Sequence, residues 1–141
     1  MRLPIIAAIA ALTILCAAPT PSLANEINDK TRCSDFVATS DGYEKVISAG
    51  NVSKRFHATE EGQKLQEFYL YMGNVMDGLD VDHIQSGTPG IMASLSDDGR
   101  RNLVAAAAVQ CRNHPNMTVW NAAAFLYRGT RDLEMQFGTA K

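Results

Sequence analysis

Thr59-Glu60-Glu61, followed by Leu65-Gln66-Glu67-Phe68-Tyr69-Leu70-Tyr71-Met72-Gly73-Asn74-Val75-Met76-Asp77-Gly78-Leu79, is the stretch that decides the fold class. Its residues Leu65, Phe68, Tyr69, Met72, Val75, Met76 and Leu79 stand at offsets 0, 3, 4, 7, 10, 11 and 14. That is the spacing of one face of an α-helix. The Thr59 hydroxyl suits an N-cap, and Glu60 and Glu61 fall in the first turn, where acids complement the helix dipole. Gly78 reads as the end of this helix. Gly73 costs about 1 kcal/mol relative to alanine in a helix interior, which leaves two readings: close approach of another backbone, or a tolerated weak spot.

Working outward, Asp80 to Leu95 contains Gly87, Pro89 and Gly90 and reads as the longest loop. Ser96-Asp97-Asp98 then opens a helix through the alanine run 105–108 to Cys111, and Asn113-His114-Pro115-Asn116 stops it. Thr118 caps a last helix with a second apolar stripe of Trp120, Ala123, Ala124 and Tyr127 and the stem of Arg131. Val119, Ala122, Phe125, Leu126 and Leu133 broaden that stripe. Toward the N-terminus, Cys33 to Val37 predicts a short helix capped by Ser34 or Asp35. Asp41-Gly42 reads as a turn, and Tyr43 to Ala49 as a further helix closed by Gly50. Residues 51–58 show no period. No alternating run of β-branched residues is long enough for a strand, and no repeat occurs. The expectation is an all-α fold, a small bundle of four to five helices stapled by one disulfide. It spans residues 33–136, between a flexible N-terminus at 25–32 and a tail at 137–141.

The staple follows from the leader. Arg2 precedes the apolar run 5–18, Pro19 and Pro21 break it, and Ser22-Leu23-Ala24 offers the small residues that a signal peptidase reads. Residues 1–24 are therefore expected to be an export signal. Cleavage after Ala24 removes Cys16 and leaves Cys33 and Cys111 in an oxidising compartment, where two thiols are expected to bond. Thr13-Ile14-Leu15 before Cys16 does not fit a lipoprotein signal. The expected location is the bacterial periplasm or the exterior. The mature chain carries a net charge of −3, which gives no electrostatic basis for binding nucleic acid. No stretch after the leader has the roughly 20 apolar residues of a membrane span, so no stable membrane insertion is expected.

Little in the chain suggests catalysis. His57, His83 and His114 stand in no metal or triad motif, and Asp80-Val81-Asp82-His83 lacks the glycine turn and terminal glutamate of a calcium loop. It reads as a solvated acidic loop. No nucleophile elbow occurs, and the acid pairs Glu60-Glu61 and Asp97-Asp98 are explained as helix starts. The expectation is a protein that is not an enzyme and needs no cofactor or metal. Phe68, Tyr69, Met72, Met76, Trp120 and Phe125 are read first as core, and as a candidate surface for clients or a partner if the packing opens.

Thr31-Arg32-Cys33-Ser34-Asp35-Phe36, together with Cys111 and the following Asn113-His114-Pro115 and Thr118, resembles the two cysteine segments of the HdeA-type periplasmic acid-stress chaperones. That resemblance implies a Cys33–Cys111 bridge and an ATP-independent chaperone that holds unfolded clients in acid. Tyr71 to Gly78 and His114-Pro115 also resemble the Rap1a/Tai immunity proteins, whose additional cysteines are missing here. This second likeness implies one specific protein partner instead; an envelope interaction factor of unassigned role is the other alternative to a chaperone. A homodimer is compatible with the HdeA-type reading.

Overall fold

The computed structural model describes residues 26–49 and 58–138, and these form a four-helix bundle. The expected leader at 1–24, Gly50 with the following aperiodic segment, and the last three residues of the tail lie outside the described residues. Helix α1 is Cys33–Ser48, α2 is Glu60–Gln85, α3 is Asp97–Asn113 and α4 is Val119–Phe137, with a single 3-10 turn at Met92–Ser94 between α2 and α3. No strand occurs among the described residues; the one β-type contact is an isolated antiparallel bridge between Arg32 and Thr118.

Three of the four starts are capped by the hydroxyl in the sequence position that suggests it. Thr59 accepts from the Gly62 N–H, Ser96 from the Gly99 N–H and Thr118 from the Asn121 N–H, at 2.9, 3.1 and 3.1 Å. Each satisfies one of the N–H groups a helix start leaves unpaired. The fourth start differs from expectation. Arg32, not Ser34 or Asp35, is the N-cap of α1, and Asp35 reaches back to accept the Arg32 N–H at 3.2 Å.

Helix α1 is also one continuous element, where Asp41-Gly42 predicts a turn. Tertiary partners hold the local sequence helical. Arg112 of α3 pairs with Asp41 and Glu44 at 3.3 and 3.0 Å and also donates to the buried Ser40 hydroxyl. Gly42 lies against α2, close to Glu61.

Helix α2 packs against all three others. Its stripe turns inward as the periodicity requires: Leu65, Phe68, Met72 and Met76 are buried, with Tyr69, Val75 and Leu79 partly covered around them. The ring of Phe36 meets Phe68 and Tyr69 edge-on, with centroids 5.6 and 5.9 Å apart. Gly78 does not end the helix. It faces open space, and α2 runs on through Asp80-Val81-Asp82-His83 to Gln85. The chain stops being helical at Gly87, the only described residue with positive φ (75°), a backbone conformation suited to glycine. An alanine Cβ at Gly73 would sit 3.9 Å from the Val104 side chain, ordinary contact, so the tolerated weak spot is the reading that fits.

The disulfide joins Cys33 to Cys111 across 78 residues, and both cysteines are buried. Around it the chain before α1 is tied to the α3–α4 connection. The Cys33 N–H donates to the Met117 carbonyl at 2.8 Å, Ser34 to Pro115 at 2.9 Å and Val119 to Thr31 at 2.9 Å. Residues 28–32 are therefore fastened, although their polar composition predicts fraying, because backbone groups and the Arg32 side chain, which donates to the Asn116 carbonyl at 3.1 Å, anchor them. Asn28 and Thr31 close a turn just ahead of the bridge.

Candidate functional site

Opposite the disulfide, the bundle is closed by a carboxylate. Asp80 extends the α2 stripe by one turn beyond Met76 and is 5% exposed. Its Oδ1 accepts three hydrogen bonds: from the Ile91 N–H at 2.6 Å, the Met92 N–H at 3.1 Å and the Tyr127 hydroxyl at 2.8 Å. One acid thus fastens three parts of the chain: the last turns of α2, the segment entering the 3-10 turn and the middle of α4. Tyr127 is itself fully buried.

The surroundings are shaped to this carboxyl. A Cβ at Gly90 would stand 2.5 to 2.7 Å from the Asp80 carboxylate, so any side chain there would displace it. The His83 ring stacks on Tyr127 with centroids 5.8 Å apart. Its Nδ1 lies 3.2 Å from the Thr88 hydroxyl, which donates to the His83 carbonyl. Arg131 of α4 reaches the Pro89 carbonyl at 3.3 Å. The loop after α2 is therefore pinned from beneath by Asp80 and from the side by α4.

Burial alone would raise the pKa of Asp80. The Met92 N–H, the Tyr127 hydroxyl, the Ile91 N–H and the charge of Arg100 together outweigh it and hold the carboxyl below the ordinary carboxylate range. Burial, followed by the hydrogen bond to Asp80 and that neighbour's charge, pushes the Tyr127 phenol well above its usual value. The chemistry available to this pair is the loss and gain of one proton by Asp80. Among the described residues no group of three His, Cys, Asp or Glu side chains converges on a metal-sized space. No described helix is long and apolar enough to cross a membrane.

The candidate surface residues divide. Phe68, Met72 and Met76 are enclosed in the core, so they offer no surface while the bundle is shut; Tyr69 and Trp120 are half-buried, and Phe125 on α4 is 60% exposed. Trp120 carries the Arg128 guanidinium over its ring, 5.8 Å from the centroid. His114 is exposed at the end of α3, where its N–H caps the carbonyls of Gln110 and Cys111; His57 lies outside the described residues.

Sequence reasoning places Asp80 in a solvated loop, and the structure corrects that to a buried position on a helix. A signal was available: Asp80 stands four residues after Met76 and eight after Met72, so it lies on the apolar stripe. An acid on a core-facing stripe is rare unless it is hydrogen-bonded. Comparison of the chain with models of protein families, with characterised proteins and with solved structures finds no match.

Proposed function

We propose that this protein is an exported chaperone that is not an enzyme, held shut near neutral pH and opened by acid. The observation that carries this reading is the buried Asp80 carboxylate, which fastens the 86–95 loop and α4 over the apolar face of α2. Protonation removes the charge that strengthens all three hydrogen bonds. Near pH 2 the mature chain moves from −3 toward about +15 as its carboxylates are neutralised, and this self-repulsion favours an expanded state. Phe68, Tyr69, Met72, Met76 and Trp120 then join Phe125 as surface for unfolded clients. The disulfide limits how far the chain can open.

The deciding experiment measures aggregation of several unrelated exported proteins at pH 2–3 and at pH 7 with the oxidised protein present. Protection confined to acid is expected, with Asp80→Asn moving its onset to higher pH. Absence of protection at both pH values overturns the reading. A second reading, a binding protein of the immunity type acting on one partner at neutral pH, is favoured by one observation: Phe125, Leu133 and Phe137 are exposed in the shut bundle. Its mark would be capture of a single partner at pH 7.

A further inference from the structure

Between α2 and α3 the packing of the chain leaves an open groove of about 550 Å³. Its floor is apolar. Gly73 offers no side chain from α2, and Val104 and Ala105 line the groove from α3. Leu70 borders it and is 59% exposed, while Met92 of the 3-10 turn lines it and is buried. A Cβ at Gly73 would meet Val104 at 3.9 Å, an ordinary contact, so nothing within the chain requires glycine there. What the glycine does is keep the floor open.

The charges on the groove are gathered at one end. The charged side chains that border it are Asp77, Arg100 and Arg101. Arg100 is spent on Asp77. Arg101 pairs through one guanidinium nitrogen with Asp98, three residues before it on α3, and both side chains are largely in water. An exposed pair of this kind contributes little, and a guanidinium carries five N–H donors in a planar fork. That end of the groove is therefore left with one positive charge in excess and donors to spare. Gln66 marks the other end, three turns of α2 away from Asp77, or about 16 Å, and it is uncharged.

We infer that this groove binds a free fatty acid of medium chain length, its carboxylate on Arg101 and its chain laid over Gly73, Val104 and Ala105 toward Gln66. One guanidinium with unused donors selects a single carboxylate, which its fork can hold by two parallel hydrogen bonds. The apolar floor selects a hydrocarbon, and an acyl chain there takes the exposed Leu70 out of water. The volume lies within the range of small-molecule sites. A partner helix, about 10 Å across, is too broad for a groove whose floor is closed by Val104 standing against Gly73. The groove is present in the shut bundle, where a fatty acid is ionised at neutral pH, so the inference is independent of the acid-chaperone reading.

The test is a titration of the oxidised protein at pH 7 with dodecanoate, kept below its micelle concentration. It is followed by calorimetry and by NMR of isotope-labelled methionine methyl groups. One saturable site is expected, with the Met92 signal moving and that of Met135, exposed near the end of α4, unmoved. Dodecan-1-ol has the same chain without the charge and should bind about tenfold more weakly, as should dodecanoate to Arg101→Glu. Arg101→Glu should leave the affinity for the alcohol unchanged. Ala105→Leu, at an exposed position, and Gly73→Leu each put a side chain into the groove and should abolish binding with helical content retained. Absence of saturable binding overturns the inference, and so does equal affinity for the acid and the alcohol. Binding that survives in both Ala105→Leu and Gly73→Leu, or that leaves the Met92 signal in place, overturns the groove as its site.

Discussion

The two ends of the bundle are fastened by different chemistry. At one end Cys33–Cys111 and the backbone bonds around Arg32 and Thr118 tie α1 to the α3–α4 connection. At the other, Asp80 ties the 86–95 loop and α4 to α2 through three hydrogen bonds on one oxygen. The covalent fastening does not respond to protons in the acid range, and the carboxylate does. A small domain built this way has one end that acid can loosen and one that it cannot, so partial opening has a direction written into the fold.

The largest expected effect breaks the covalent end. Replacing both cysteines with alanine releases a 78-residue loop, and the chain-entropy account puts the cost at about 4 to 5 kcal/mol. Thermal denaturation should show a fall in melting temperature of about 20 °C. A shift of only a few degrees would mean that the backbone bonds around Arg32 hold this end without the bridge.

Asp80→Asn breaks the other end and should cost about 2 kcal/mol at pH 7, read from urea unfolding, because the hydrogen bonds lose their charge assistance. The sign of the pH dependence follows from the direction of the shift. The folded carboxyl lies below its ordinary range, so its stabilisation is complete above about pH 4, where the unfolded carboxyl is ionised. That stabilisation is lost as pH falls through the folded value. The gap between wild type and Asp80→Asn should therefore close in acid, and a gap constant down to pH 2 would assign the cost to packing instead of charge.

Tyr127→Phe removes one of the three donors and should cost about 1 kcal/mol in the same titration. The smallest effect has the opposite sign. Gly42→Ala should stabilise by about 0.5 to 1 kcal/mol, since its Cβ would make an ordinary 3.6 Å contact with Glu61 in the middle of α1. Destabilisation there would show that Asp41-Gly42 still needs the freedom of a turn.

Much of this fold is legible in the sequence because its signals are local. The α2 stripe, the capping residues Thr59, Ser96 and Thr118, and the two cysteines that follow the expected leader each act within a few residues or by simple count. The misread features depend on partners far along the chain. Asp41-Gly42 looks like a turn until Arg112, 71 residues away, is set beside Asp41. Gly78 looks like a stop because nothing local shows that its side of α2 faces open space, whereas the true stop at Gly87 needs a left-handed backbone. The Asp80 site was the least legible part, since two of its donors are backbone N–H groups 11 and 12 residues on and the third is 47 residues away. Only its place on the apolar stripe betrays it.

The position of the bridge has a consequence for an encounter with proteases. Cys33 and Cys111 lie on either side of the 86–95 loop, the segment that acid would unfasten. A single cut there separates the chain in sequence but not in space: the two pieces remain one covalent molecule until a reductant divides them. Nicked and intact protein would run alike on a non-reducing gel, and a nicked molecule keeps every helix it needs to close again when the acid is gone.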